Sequence, residues 1–351
     1  MSQPDVQAYL RAHQQDYLDA LCELLRFASI ANNDDGECER CVEWLLAHLT
    51  GLGLDARTLD TGGKPIVYAE SAPDPAKPTV LIYGHYDVQP ADPFELWDSE
   101  PFEPTIRDGH LFGRGTSDDK AQFFVHLMAI DAWQQVTGSL PVNVKVFLEG
   151  EEEIGSPTLE AFIEEHKDLL AADAAVVSDS AFFRPGTPAL ASGLRGLAYV
   201  QVDFTGPSAD LHSGIYGGAV TNPINALTKL VASMFDDNGK VTIPGFYDDV
   251  VPLADADRAA WDTLGFDEQQ FAADVGLNTL GGGEAGLPVL ERRWARPTLD
   301  ANGIIGGYTG VGAKTVIPSV ASVKLSMRLV ANQDPDKIIA GVRQFIADNT
   351  P

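Results

Sequence analysis

Three short apolar, β-branched runs in the first half of the chain each end in residues that bind metals or move protons. Thr79–Tyr83 is followed at once by Gly84-His85-Tyr86-Asp87. Val142–Leu148 leads into Glu149-Gly150-Glu151-Glu152-Glu153, and Ala174–Val177 leads into Ser178-Asp179. Helical patterns, Lys120–Val136 and Thr158–Leu170, lie between them. Strands that alternate with helices specify an α/β sheet with helices packed on its faces. Ligands of such open sheets bind just beyond the carboxyl ends of the strands. Three strand ends that each deliver His or carboxylate therefore point to one shared site.

The pattern changes near Gly193. A strand pattern at Leu197–Thr205 is followed by the turn Gly206-Pro207-Ser208 and a helix-like stretch from Asn222 to Phe235. A looser Gly-, Pro- and Asp-rich region runs from about Asp236 to Gly312. Ser322–Val330 alternates like a half-buried strand. Asp334-Pro335 then opens a helix to about Ala347, with proline at its first position. These boundaries predict two domains, residues 1–192 and a smaller α+β domain at 193–351, as a length of 351 residues also suggests.

Charge narrows the function classes. Lys and Arg number 24 against 51 Asp and Glu, a formal net charge of −27. Such a surface repels nucleic acid and anionic membranes. The first thirty residues read as an amphipathic helix with charges spread along it, unlike a secretory signal, and no run of about 18 apolar residues suits a membrane span. Cys38-x-x-Cys41 has no second cysteine pair or nearby His to complete a tetrahedral site, so both thiols read as apolar residues of a helix. The cysteine usage fits a reducing, cytoplasmic setting.

Each chemistry-bearing residue has a plain reading beside the functional one. His85 and Asp87 form His-x-Asp, in which a carboxylate can fix the tautomer of a metal-binding imidazole; the plain reading is a turn His beside an acid. Asp118, in Gly113-Arg-Gly-Thr-Ser-Asp118-Asp119-Lys120, precedes a helix and can cap it or bridge two cations. Glu151-Glu152-Glu153 is a solvated loop or a cluster that cations neutralise, with one acid as ligand and its neighbour as proton carrier. Asp179 forms a turn or ligates. His212 lies outside the first domain, in Ala209-Asp-Leu-His212-Ser-Gly-Ile-Tyr-Gly-Gly218. His13, His48, His126, His166 and His110 read as structural or exposed.

Taken together, GHYDVQP, LFGRGTSDDKAQ, EGEEEIGS, VVSDS and DLHSGIYGG resemble the motifs of the cocatalytic zinc peptidase family. That family includes carnosinase-like dipeptidases, aminoacylases, succinyl-diaminopimelate desuccinylase and the bacterial type of glutamate carboxypeptidase. GHYDVQPADPFELWDSEPFEP and GVGAKTVIPSVASVKLSMRLV are most similar to the carnosinase and non-specific dipeptidase branch.

The resemblance implies an α/β fold, a mixed sheet flanked by helices with an inserted α+β lid that also dimerises. It implies two divalent metal ions, zinc first; the carboxylate-rich donor set would also accept manganese. His85 and Asp179 would bind one, Glu153 the other, and Asp118 would bridge both. Asp87 would orient His85, and Glu152 would be the general base and acid. Asp118-Asp119 would be joined by a cis peptide. His212 would reach the partner subunit's site in a homodimer and polarise the substrate carbonyl, with Tyr216 shaping its loop. Arg328 would hold the carboxylate of a small dipeptide substrate. An N-acyl amino-acid amidohydrolase with the same site, or an inactive relative acting as a binding protein, is the alternative.

The family has a further metal-binding His near its C-terminus, whereas all seven histidines here lie at or before position 212. On the resemblance, a C-terminal catalytic segment is missing, the lid is incomplete, and this chain is expected to be catalytically impaired.

Overall fold

The computed structural model describes residues 3–180, 182–184, 186–187, 189–191 and 193–350. The chain forms two compact units, Met1–Ala191 and Ser192–Pro351.

The first unit opens with two helices, α1 (Gln3–Ala12) and α2 (Gln14–Leu25), where the sequence predicts one. The break falls at His13. Next come α3 (Glu37–Gly51), β1 (Asp55–Leu59), β2 (Ile66–Glu70), β3 (Thr79–His85) and the hairpin β4 (Thr105–Arg107) with β5 (His110–Phe112). Then follow α4 (Lys120–Thr137), β6 (Asn143–Glu149), α5 (Leu159–Glu165), α6 (Lys167–Leu170) and β7 (Ala174–Val177). The predicted helix at Thr158–Leu170 is thus divided at His166, whose Nδ1 lies 2.9 Å from the Phe162 carbonyl oxygen.

Five strands make one mixed sheet in the order β1-β2-β6-β3-β7. The three expected strands are its parallel part, with β3 paired to β6 on one side and β7 on the other. β1 and β2 extend it antiparallel and were not anticipated. β1 is a polar five-residue stretch, and β2 is buried over four of its five residues, so neither shows a two-residue alternation.

Alternation along the strands separates two cores. Val144, Val146 and Leu148 of β6 join Leu45 and Leu49 of α3 and Phe123, Phe124 and Leu127 of α4. Phe147, between them in sequence, joins Tyr68 of β2 and Phe162 of α5 on the other face. A sheet buried on both faces has continuous apolar strands. Cys38 and Cys41 are free thiols buried in the larger core.

The second unit is built on an antiparallel sheet in the order β10-β12-β8. Its elements in chain order are β8 (Gly196–Thr205), β9 (Leu211–His212), α7 (Ser213–Tyr216), α8 (Pro223–Ser233), α9 (Asp255–Asp262), α10 (Glu268–Asp274), α11 (Val289–Trp294), β10 (Thr298–Gly306), β11 (Val316–Ile317), β12 (Val320–Leu329) and α12 (Pro335–Asn349). β12 buries Ala321, Val323, Leu325, Met327 and Leu329 against Leu227 and Leu230 of α8 and Ile338 and Val342 of α12. Asp334 caps α12 by accepting from the amides of Asp336 and Lys337.

The stretch read as loose, Asp236–Gly312, holds three helices and β10. The helices have six to eight residues, too few to display a period. β10 carries Asn302-Gly303 at a register break between Ala301 and Gly303, which interrupts its pattern. Among the described residues, no helix is long and apolar enough to cross a membrane.

The two faces of α4 give a stability test. Leu127 is fully buried and Val125 is 58% exposed on the same helix. Leu127→Ala is expected to cost about 2–5 kcal/mol and Val125→Ala less than about 0.5 kcal/mol. Urea titration of both variants, followed by circular dichroism, checks the contrast; equal losses would show that α4 does not pack as described.

Candidate metal centre

Parallel pairing levels three strand ends. His85, the last residue of β3, lies opposite Glu149, the last of β6, and Tyr83 lies opposite Val177, the last of β7. The loop before α4 adds Asp118 at the same place. His85, Asp118 and Asp179 each offer a ligand atom, all within 4.8 Å of one another. His85 Nε2 lies 3.0 Å from Asp118 Oδ1 and 4.0 Å from Asp179 Oδ2. The ring is wholly buried, and its Nδ1 lies 3.1 Å from the Asp87 carbonyl oxygen and 3.4 Å from Asp87 Oδ1. A ring nitrogen engaged on one side fixes which nitrogen faces the acids.

The capping reading of Asp118 does not hold. The residue before α4 is Asp119, and it makes no side-chain cap bond. Asp119, joined to Asp118 by a cis peptide, turns inward and accepts from the His85 amide at 3.1 Å. Its other oxygen is buried with no hydrogen-bond partner among the described residues. Burial pushes the Asp119 carboxyl up to about 7, further raised by the charges of Asp179 and Asp118 and opposed by the His85 amide and ring. Gly84 permits this close approach, since a Cβ there would stand 2.7 Å from Asp119 Oδ2 and from Phe123 Cβ.

The acidic triplet divides its labour. Glu151 is buried and accepts from the Lys64 amide at 3.2 Å and from the Thr158 hydroxyl, so it serves the loop. The amides of Glu152 and Glu153 donate to Asp87 Oδ1 at 3.3 Å and Oδ2 at 3.0 Å. Glu153 stays outside the group of three: its Oε2 accepts from Gln89 Nε2 at 2.8 Å.

The electrostatics call for positive charge. Burial raises Glu152, Glu153 and Asp179 above ordinary carboxylate values, and the charge of Asp118 raises each further. Burial alone would lower the His85 imidazole, but the hydrogen bond and charge of Asp87 outweigh it and push it up to about 10. Crowded, partly buried carboxylates around one imidazole favour a bound cation. Oxygen and imidazole donors suit zinc or manganese, so the residues present fit a divalent metal.

Two positioning residues escaped the sequence reading. Gln89 fixes Glu153 as described. Gln122, in the first turn of α4, donates from Nε2 to the Ser117 carbonyl and accepts from the Ser180 amide at 3.3 Å. It ties together the loops that carry Asp118 and Asp179. His126 adds to this through Ser178 Oγ at 2.5 Å. Side-chain amides carry no distinctive spacing, so only the fold reveals them.

His212 and Arg328 belong to the second unit. His212 is exposed; its Nδ1 accepts from the Gly214 amide at 3.0 Å and its Nε2 lies 3.0 Å from Thr315 Oγ1. Tyr216, at the end of α7, is 42% exposed and leaves that loop open to solvent. Arg328 is exposed on β12, opposite Thr298 and Leu197.

Residues 81–284 match the model of peptidase family M20/M25/M40. The Cys-Gly metallodipeptidase DUG1 of Candida albicans is 39% identical over 295 residues, covering 80% of this chain and 59% of that protein. The beta-Ala-His dipeptidase of Rattus norvegicus is 31% identical over 355 residues, covering 96% of this chain and 72% of that protein. The crystal structure of human carnosine dipeptidase 1 superposes with a TM-score of 0.88 at 31% identity, over 98% of this chain and 76% of the other. The chain spans 59–60% of the length of the fungal metallodipeptidases it matches. With the family model matching more than half its length, the chain belongs to peptidase family M20/M25/M40.

Proposed function

We propose that the protein is a metal-dependent dipeptidase, in which residues 1–192 form the catalytic domain and residues 193–351 a lid that also dimerises. The observation that carries this reading is the convergence of His85, Asp118 and Asp179 on one point at the strand ends. The similarity to proteins named as Cys-Gly and beta-Ala-His dipeptidases supports the substrate class.

His85, Asp118 and Asp179 would hold one divalent ion, and Asp118 with Glu153 a second. Zinc is the favoured ion, with manganese the alternative, and a bound pair supplies Lewis acidity that acidifies water and polarises a carbonyl. Asp87 keeps the His85 ring in place. Glu152, freed from ligand duty by its neighbour, takes the proton of the attacking water on its carboxylate and returns it to the leaving amine. In a homodimer, His212 of one subunit would stabilise the oxyanion formed on the substrate of the other, and Arg328 would pair with the free carboxylate of the dipeptide. The free cysteines fit a cytoplasmic setting.

Dipeptides and N-acetyl amino acids are assayed side by side on the protein in its full natural length, before and after chelation. Dipeptide turnover that vanishes on chelation and returns with zinc or manganese is expected. Turnover untouched by thorough metal removal would end the metal reading, and preference for N-acetyl substrates the dipeptidase reading. Glu152→Gln is expected to keep its metal and lose about 10²–10⁴-fold in kcat. Metal loss in Glu152→Gln, with Glu153→Gln unaffected, would exchange the two roles.

Asp87→Asn keeps the side chain's shape but weakens its hold on the His85 ring. Metal affinity is expected to fall about 10–100-fold, measured by competition with a chromogenic chelator. An unchanged affinity would remove Asp87 from the site.

The composite site is tested by mixing two inactive variants, Glu152→Gln and His212→Ala. A mixed dimer has one intact site, so part of the activity should return. If subunits demonstrably exchange and nothing returns, His212 serves its own subunit or none.

A further inference from the structure

The chain is strongly acidic, yet one cavity in the second unit is the reverse. About 750 Å³ in volume, it is lined, among the described residues, by Arg195, Arg292, Arg293, Arg296 and Arg328 against two acids, Glu284 and Asp300, a local surplus of three positive charges. It sits on the outer face of the three-stranded sheet. β12 turns its apolar residues inward, which leaves Ser326 and Arg328 facing outward. The ladders place Arg328 opposite Thr298 at the start of β10 and Leu197 at the start of β8, with Arg195 two residues earlier. α11 contributes Arg292 and Arg293.

Among the described residues, only part of this charge is answered. Arg296 is spent on Glu284, in two parallel bonds of 2.6 and 2.9 Å, and lies over the Tyr247 ring. Arg292 donates from Nη1 to the Gly282 carbonyl, but its Nε is buried without a hydrogen-bond partner among the described residues. Arg195 Nη1 is likewise buried without one. Burial, then the charges of Arg328 and Arg293, push the Arg195 guanidinium below its ordinary value. Arg293 lies over the Phe271 ring, 4.7 Å from its centre, and Arg328 is exposed. Buried guanidinium N–H groups without acceptors, next to like charges, are costly unless a ligand supplies oxygens.

We propose that this cavity binds a small oxyanion carrying at least two negative charges, held by Arg195, Arg293 and Arg328. Guanidinium groups match carboxylate and phosphate oxygens with paired N–H donors. The volume lies in the range of small-molecule sites. The reading above gives Arg328 a single substrate carboxylate, which leaves most of the surplus charge unanswered. The proposal concerns binding and stands whether or not the chain hydrolyses peptides.

Titration calorimetry on the full chain tests it, with inorganic phosphate and succinate as doubly charged probes and acetate as the singly charged comparison. One phosphate or one succinate per chain is expected, bound more tightly than acetate and more weakly as salt rises. Binding of phosphate alone identifies a phosphorylated ligand, and binding of succinate alone a polycarboxylate. Arg195→Gln and, separately, the exposed Arg293→Gln should each weaken the bound probe at least about 10-fold. Lys324→Gln, on the same strand but outside the cavity, should leave it unchanged. The proposal fails if neither probe binds at about 10 mM, a strength far below that of ordinary ligand sites. It also fails if both arginine variants bind as the parent does, which would place the anion at the metal centre, or if Lys324→Gln weakens binding equally.

Discussion

A single buried carboxylate organises the candidate metal centre. Asp87 is wholly buried two residues beyond β3, and its two oxygens accept from the amides of Glu152 and Glu153 beyond β6. Its main chain and side chain also face His85 Nδ1. One residue thus joins two strand ends and turns the other nitrogen of His85 toward Asp118 and Asp179. A buried carboxylate is tolerable only when its oxygens find donors. The two loop amides answer that requirement, and they fix the backbone from which Glu152 and Glu153 project.

The legible part of the sequence was that dictated by burial. β3 and β6 lie inside a sheet packed on both faces, so they read as apolar runs; β7, at the edge and largely exposed, reads as one through its own Ala and Val residues. His85 and Asp179 could be named because they stand just beyond such runs, and Asp118 because its Gly-rich loop resembles a family motif. The hidden part depends on partners distant in sequence. β10 is a strand because β12 pairs with it across a bulge, not because its own residues alternate. Gln89 and Gln122 matter through hydrogen bonds to loops 64 and 58 residues away. Glu151 looked interchangeable with its two neighbours until the Lys64 amide and Thr158 hydroxyl occupied its carboxylate.

Charge is distributed with the same economy. The first unit gathers acids around one imidazole, and the second gathers arginines around one cavity. Neither arrangement is favourable in isolation, because like charges brought together and partly desolvated raise the energy of the folded chain. Both become favourable once a counter-charge is bound, and binding then adds to stability by mass action. A chain with a net charge of −27 draws cations to itself in general. Its cationic cavity is therefore harder to explain as a by-product of composition than its acidic cluster.

The position of Asp118 shows how a candidate ligand can be held mostly by its neighbours. Its side chain is 60% exposed and meets His85 across the open site. The chain on either side is anchored more firmly. Lys120 is fully buried and donates to the carbonyls of Leu24 at 3.2 Å and Phe27 at 2.6 Å, pinning the start of α4 to the end of α2. Asp119 is held by the His85 amide, and Ser117 by Gln122. Because Gly84 lacks a Cβ, the helix start can lie this close to β3. A metal ligand must remain free to meet its ion, so rigidity has to come from the residues around it. Here the core side of α4 supplies that rigidity, and the packing that stabilises the fold is also what sets the geometry of the site.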